Sequence, residues 1–172
     1  MGFPTRTNSP ATPSLSSEDA KNALQFNLIA NAELTGGKSL KKIENSNFRL
    51  RIERLAWEKS GSIQGQNKFI AEFTVVLTDH PYTKPGEAIG WAQVTQGSGW
   101  EGRILKFLLA AAGVSSNDTE AVEAARPHFA AELAEAVGET NKYQGVEILA
   151  ATGSKGKAKN GFDFIPVDFA PV

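Results

Sequence analysis

Apolar and polar residues alternate along several stretches of this chain, with the period of two that is expected of β-strands. The first stretch, from residue 46, places Phe48, Leu50 and Ile52 on one face. The apolar phase then slips by one position to Leu55 and Trp57. A slip of this kind predicts a β-bulge, which bends the strand and exchanges its two faces. A small closed barrel requires a long first strand that bends in this way.

Four later stretches also predict strands. They are Lys68–Thr78, Ala88–Thr95, Val146–Thr152 and a last strand that starts at Phe162. Pro166 interrupts the last of them and has no backbone N–H to donate. We therefore expect the last strand to lie at a sheet edge or to have an irregular end.

The segment between the third and fourth strands has a helical period instead. Its apolar stripe consists of Ile104, Leu105, Leu108, Leu109 and Ala112. Ser98, with Glu101 three residues later, predicts a capping box at the start of this helix, and Gly113 predicts its end. A second helical stretch, Asn117–Val137, is expected to break at Pro127.

This order of elements predicts a mainly β protein with a helical insert: a five-stranded OB-like barrel with helices between strands 3 and 4. We expect the barrel domain to span residues 46–172, with the insert at 99–139, after an N-terminal arm of residues 1–45. Residues 1–20 contain three prolines and many Ser and Thr residues, which predicts a disordered or extended segment. Residues 21–34 fit a short helix and an added edge strand equally well.

The formal charge of the chain is −1, lower than a uniformly basic nucleic-acid-binding domain would have. The charge is unevenly distributed, however. Residues 114–141 hold one arginine and six carboxylates, a net charge of −5, so the rest of the chain carries +4. The sequence therefore describes a mildly cationic body with an acidic helical insert.

Several classes of protein are excluded or disfavoured. The chain has no cysteine, which excludes disulfides, thiolate metal sites and cysteine nucleophiles. No apolar run approaches the roughly 20 residues that span a bilayer, and the N-terminus lacks a signal-peptide core. His80 and His128 have no metal-ligand spacing to another strong ligand, and no phosphate-binding loop or nucleophile elbow occurs. We expect no enzyme, no cofactor, no metal and no membrane contact.

Two loops between predicted strands are rich in glycine and lysine and contain no acidic residue. They are Lys59–Lys68 and Gly153–Gly161. In OB-type barrels the loops after strands one and four flank the oligonucleotide-binding face. Lysines there neutralise phosphates, and glycines allow the backbone to approach the strand closely. The alternative interpretation is a pair of ordinary hairpin turns with solvated lysines.

The candidate binding residues are cations and aromatic rings. The expected phosphate contacts are Lys59, Lys68, Lys155, Lys157, Lys159, Arg49 and Arg51. Trp57 and Trp91 are expected to stack on bases, and Trp91 is preferred because its neighbours are small or polar. The alternative interpretations are core packing for the rings and solvation of a sheet face for the arginines.

Four stretches taken together resemble the OB-fold single-stranded DNA-binding proteins encoded by bacteriophages. They are NFRLRIE at 47–53, FIAEFTV at 69–75, GRILKFLLA at 102–110 and KNGFDF at 159–164. The resemblance is one of pattern and order over about residues 46–170, with no single diagnostic motif. It implies a protein that coats exposed DNA strands and has no catalytic residues. The segment Pro166–Val172 contains only one acid, unlike the acidic tail with which bacterial members often end.

We therefore expect sequence-independent binding of single-stranded DNA in phage replication or recombination, in the cytoplasm of the host. The alternative is a virion structural or assembly module built on the same barrel, whose N-terminal arm clasps a neighbouring subunit. The helical insert and the arm are the surfaces expected to support self-association.

Overall fold

The structure is a computed structural model. It describes residues 38–59, 66–95, 97–159 and 161–172. The predicted disordered segment, the ambiguous stretch 21–34 and most of the first lysine loop, residues 60–65, lie outside the described residues. Those interpretations stay predictions.

A five-stranded antiparallel sheet lies at the centre of the described structure. Its strands are β1 (Asn47–Lys59), β2 (Asn67–Thr78), β3 (Ala88–Val94), β4 (Glu147–Thr152) and β7 (Val167–Pro171). They lie in the order β3-β2-β1-β4-β7, which confirms the predicted mainly β class. The sheet is open, because its two edge strands, β3 and β7, do not pair with each other in the described residues. A closed barrel is therefore not confirmed.

Strand β1 is the central strand of the sheet; its first residues pair with β2 on one side and β4 on the other, and the rest pairs with β2 alone. Its pairing with β2 shifts register between Ile52 and Arg54, where the slip of the apolar pattern predicted a bulge. A second shift lies between Arg49 and Leu50. The bulge allows both Ile52 and Leu55 to be buried despite their odd spacing.

Helix α1 (Trp100–Ala111) follows β3 and buries its apolar stripe. The predicted capping box at Ser98 is wrong. Gly99 occupies the N-cap with φ of 85°, and no side chain caps the helix. This left-handed conformation is cheap only for glycine, which explains why the chain turns into the helix there. The helix ends near Gly113 as predicted, with φ of 83° and a hydrogen bond from its N–H to the Ala110 carbonyl at 3.0 Å.

Pro127 divides the second helical stretch as predicted. Helices α2 (Thr119–Ala125) and α3 (Phe129–Val137) flank a 3₁₀ turn, Arg126–His128. Asp118 caps α2 by accepting a backbone hydrogen bond from its first turn. The proline has no N–H and crowds the preceding turn, so one continuous helix cannot form. Within the described ranges no helix is long and apolar enough to cross a membrane.

Glu132 of α3 is buried and fixes the helical segment to the turn before β4. Its carboxylate accepts a short hydrogen bond from the Tyr143 hydroxyl and pairs with the Lys142 amine at 2.7 Å. Glu135 contacts the same amine at 3.1 Å. Burial, and after it the hydrogen bond to Glu132, raise the pKa of Tyr143 far above its usual value, so the hydroxyl remains a donor. A carboxylate at this depth needs such partners.

The core is organised around the ring of Phe107 in α1. Its ring partners are Phe69, Phe73, Trp91 and Phe169, at centroid distances between 5.0 and 6.0 Å. Trp91 of β3 and Phe169 of β7 also contact each other directly, with centroids 4.9 Å apart. Side chains rather than backbone hydrogen bonds therefore connect the two edges of the open sheet.

The chain between β4 and β7 forms a separate hairpin of two short strands, β5 (Gly156–Lys157) and β6 (Asp163–Phe164). The prediction that the fifth strand of the sheet starts at Phe162 is wrong. That segment pairs with β5, and the main sheet resumes only at Val167. Pro166 lies between β6 and β7. It has no backbone N–H to donate to a strand ladder, so it separates these two strands.

The first described residues pack on the edge of β3. Ser39 forms a bridge with Gly90, and the Lys38 carbonyl accepts a hydrogen bond from the Gly90 N–H at 3.3 Å. A 3₁₀ turn, Leu40–Lys42, follows, and Leu40 is fully buried. These residues belong to the predicted N-terminal arm, yet they are part of the packed domain.

Candidate nucleic-acid interface

The second lysine loop folds as a β-hairpin and not as an irregular loop. We term residues 153–159 and 161–166 the lysine hairpin; it contains β5 and β6. Gly161 forms its turn with φ of 83°, and the Gly161 N–H donates to the Ala158 carbonyl at 2.9 Å. Lys157 lies in β5, and Lys155 and Lys159 lie close to it on either side, so the pairing of β5 with β6 helps to fix the position of the lysines.

Asp163 pairs with two of the predicted lysines. Its carboxylate lies 2.9 Å from the Lys155 amine and 3.3 Å from the Lys157 amine. The hydrogen bond from Lys155 holds the pKa of Asp163 below its usual range, and Asp163 in turn raises the pKa of Lys155. All three side chains are exposed, and such pairs are weak in water. Lys159 has no carboxylate partner among the described residues.

Two phenylalanines of the lysine hairpin are exposed to solvent. Phe162 is 73% exposed and Phe164 is 47% exposed. Phe164 lies across the hairpin from Gly156, where an added Cβ would come within 3.3 Å of the ring. Exposed rings beside lysines are the arrangement found in proteins that bind single strands. We did not select these rings from the sequence, although their alternation directly after the lysines was an available signal.

A groove of about 920 Å³ lies between β3, α1, the lysine hairpin and β7. Its positive side chains are Lys41, Arg103, Lys106, Lys157 and Lys159. Two carboxylates, Asp163 and Asp168, oppose these five cations and leave a net charge of +3. We term it the cationic groove. The net charge of −1 for the whole chain conceals this local excess.

Helix α1 supplies one wall of the cationic groove. Arg103 and Lys106 are three residues apart and therefore share one face of the helix. Both are exposed, and neither forms an ion pair within the described part of the chain. Gly99 and Gly102 also line the groove, and an added Cβ at either would meet no other atom. We did not select these cations because polar positions on an amphipathic helix are normally solvated.

Lys41, from the 3₁₀ turn, lies beside this wall. Its amine is 5.9 Å from the centroid of the Trp91 ring, a distance at which a cation is attracted to the aromatic face. Loss of solvation, and after it the positive charge of Arg103, lower the pKa of Lys41 to about 8. The residue as a whole is exposed, so water at the mouth of the groove limits this shift.

Trp91 lies at the floor of the groove, but its ring is only 3% exposed. It packs edge-on against Phe69 and Phe169 and parallel to Phe107. The expectation of an open stacking surface at Trp91 is therefore wrong. Trp91 lies two residues after Ile89 on β3, so both side chains point to the inward face of the strand and both are buried in the core.

The first lysine loop leaves the opposite end of β1 from the lysine hairpin. Lys59 ends β1 and Lys68 lies near the start of β2, whereas β4, which leads to the hairpin, pairs with the first residues of β1. Neither lysine is among the described residues that line the cationic groove. Trp57 is half-buried, with its ring centroid 6.1 Å from that of Trp100. The structure does not bring these three predicted residues into the groove.

Arg49 and Arg51 lie on the outward face of β1, as their alternation predicted. Arg49 pairs with Glu147 at 2.6 Å, and Arg51 pairs with Glu53 at 2.8 Å. Exposed pairs of this kind contribute little to stability, so a phosphate can compete for either guanidinium. Neither arginine lines the cationic groove in the described structure.

The described ranges contain no group of three or more His, Cys, Asp or Glu side chains that could hold a metal ion. The His80 ring shares a hydrogen bond of 2.8 Å with the Thr83 hydroxyl and so fixes the connection between β2 and β3.

No protein-family model matches the chain, and no curated protein sequence matches it either. The groove, the lysine hairpin and the order of the strands are the features of the chain that bear on its function.

Proposed function

We propose that this protein binds single-stranded DNA without sequence preference, through the cationic groove and the lysine hairpin. The observation that carries the proposal is a net charge of +3 in one groove of a chain whose total is −1. One exposed aromatic ring, Phe164, lines that groove, and the exposed ring of Phe162 lies on the same hairpin. Phosphates complement the cations, and unpaired bases present faces that stack on the rings. Duplex DNA offers only the first of these contacts, because its base faces are stacked inside.

The strand order supports an OB-like barrel as the finer description of the fold. Such barrels have five strands and are partly open, and the loop after the fourth strand flanks the binding face. The lysine hairpin follows β4 and lines the groove together with β3 and α1. Contact between Trp91 and Phe169 across the open side supports a sheet curved almost to closure.

Each part of the interface has a distinct role in this proposal. Lys157 and Lys159 neutralise phosphates, and Phe164 stacks on a base at the border of the groove. In the free protein Asp163 forms ion pairs with Lys155 and Lys157, and incoming phosphates replace it as the partner of these two lysines. Arg49 and Arg51 remain predicted contacts for DNA that extends beyond the groove. The biological role that fits is the coating of exposed strands in phage replication or recombination.

Fluorescence anisotropy with labelled oligo-dT and with a duplex of the same length tests the proposal. We expect tight binding to oligo-dT only, with an affinity that falls by about 0.7 logarithmic units per neutralised phosphate for each tenfold rise in salt. Five contacts would give a slope of about −3.5. Lack of binding to either DNA would remove the proposal and favour the assembly module, and a salt-insensitive interaction would remove its electrostatic part.

Three variants locate the site in the same assay. Joint replacement of Lys155, Lys157 and Lys159 by Ala is expected to weaken binding to all sequences alike. Phe164→Ala is expected to weaken binding by roughly tenfold, because stacking of one base contributes about 1–3 kcal/mol. Lys84→Ala removes an exposed lysine from the connection between β2 and β3 and is the matched control. Equal effects of Lys84→Ala and the groove variants would contradict the assignment.

A further inference from the structure

The cations of the groove differ in their surroundings. Lys157, on the lysine hairpin, already has a carboxylate partner, Asp163. Lys41 and Arg103, on the wall formed by the 3₁₀ turn and α1, have none among the described residues. Both side chains line the same groove, and the charge of Arg103 disfavours the protonated form of Lys41. Two like charges thus face one groove, and neither is paired with a carboxylate in the described part of the chain.

This arrangement is costly in the free protein. The groove wall removes part of the solvation of the Lys41 amine, and Arg103 repels it. The Trp91 ring 5.9 Å away offsets part of this cost, because its face attracts a cation. An anion placed between the two cations would relieve both the repulsion and the lost solvation. The geometry is therefore prepared for a negatively charged ligand.

We propose that Lys41 and Arg103, with Lys106 one helical turn further along α1, bind one backbone phosphodiester of the DNA strand. The inference rests on the proposed function and adds to it a binding site for one phosphate. We term this site, formed by Lys41, Arg103 and Lys106, the phosphate seat. The seat lies on the α1 wall, and the lysine hairpin with Phe164 forms another wall of the same groove. A strand in the groove would have its phosphate held at the α1 wall while a neighbouring base contacts the hairpin.

Binding at this seat is coupled to uptake of a proton. The pKa of Lys41 is about 8 in the free protein, and a bound phosphate raises it because an opposite charge favours the protonated amine. At a pH between the pKa of Lys41 in the free protein and its higher pKa in the complex, Lys41 is protonated in the complex but mostly unprotonated in the free protein. The affinity must therefore fall as the pH rises above about 8.

Other charged groups also line the groove. They are Arg103 and Lys106 from α1, Lys157, Lys159 and Asp163 from the lysine hairpin, and Asp168 from β7. Replacement of Lys41 by Arg keeps the positive charge at every pH and therefore assigns a decline in affinity to Lys41.

Anisotropy titrations with labelled oligo-dT at pH 7, 8 and 9 test the seat. At about 50 mM salt and pH 7, Lys41→Ala and Arg103→Gln are each expected to weaken binding roughly fivefold to tenfold and to reduce the salt slope by about 0.7, the effect of one phosphate contact. The unaltered protein is expected to lose affinity about fivefold from pH 7 to pH 9, and Lys41→Arg is expected to remove this loss, because its charge is permanent.

The outcomes separate this inference from the proposed function. Tight binding of oligo-dT by all variants, with no dependence on pH, would overturn the seat and leave the proposed function intact. Absence of binding by the unaltered protein would overturn the proposed function itself. Lys84→Ala serves as the control and is expected to change neither the affinity nor its pH dependence.

Discussion

Asp163 controls how many lysines of the hairpin are available to a phosphate. It is the only carboxylate in the described chain that pairs with Lys155 and Lys157, and it also lines the groove. In the proposed function, a phosphate that contacts Lys155 or Lys157 would compete with this carboxylate for the amine.

Replacement of Asp163 by Asn is expected to raise the affinity for oligo-dT about twofold to fivefold at low salt, because two weak exposed pairs no longer compete with phosphate. Glu120→Gln makes the same change of charge on the exposed face of α2 and is the matched control. An equal gain in both variants would mean that total charge, and not release of the hairpin lysines, determines the affinity. Anisotropy at several salt concentrations measures both effects.

At the scale of single elements, a glycine inside α1 and a glycine just after it have opposite roles. Gly113 follows the helix with φ of 83°, a conformation that side chains with a Cβ rarely adopt. Gly102 lies inside the helix, where an added Cβ meets no other atom.

We expect Gly113→Ala to lower the free energy of unfolding by about 1 kcal/mol, because it strains the C-terminal cap. We expect Gly102→Ala to raise it by about 0.5–1 kcal/mol, because alanine loses less backbone entropy in a helix. Denaturant unfolding followed by circular dichroism measures both changes. Shifts of the same sign would contradict this description of the helix.

Patterns along the chain predicted the elements better than their ends. The slip between Ile52 and Leu55 predicted the bulge, since the register of a strand follows its buried face. The break at Pro127 follows from one missing N–H. The capping residue was missed because Gly99 adopts a left-handed conformation that a side-chain pattern does not reveal. The last strand was placed too early because the apolar Phe162 resembles a buried strand residue, although it is exposed.

The site was harder to predict than the fold, because its residues come together only through the order of the strands. Lys41, Arg103 and Lys157 are far apart in sequence, and no local pattern connects them. The sheet order places β3 and β7 at opposite edges, and the groove forms between them. The lysine hairpin was found because its cations are adjacent in the chain, and Trp91 was misassigned because small neighbours do not distinguish an exposed ring from a buried one.

At the scale of the whole molecule, Phe107 joins α1 to both edges of the sheet through Trp91 and Phe169. We expect Phe107→Ala to lower the free energy of unfolding by about 3–5 kcal/mol, the usual loss for a buried phenylalanine. Phe107→Leu fills more of the cavity and is expected to cost less. Chemical denaturation measures both variants, and a loss below about 1 kcal/mol for the alanine variant would contradict a central role for this ring.

The contact of Trp91 with Phe169 has a further consequence for ligand choice. Backbone hydrogen bonds between two strands keep them at one spacing. The edge strands β3 and β7 are joined by ring contacts instead, and such contacts are worth only about 0.5–1.5 kcal/mol each. The two edges can therefore separate at small cost. In the proposed function, edges that separate at so small a cost could accept both purines and pyrimidines, which differ in size. Indifference to base identity would then arise from the compliance of the groove wall.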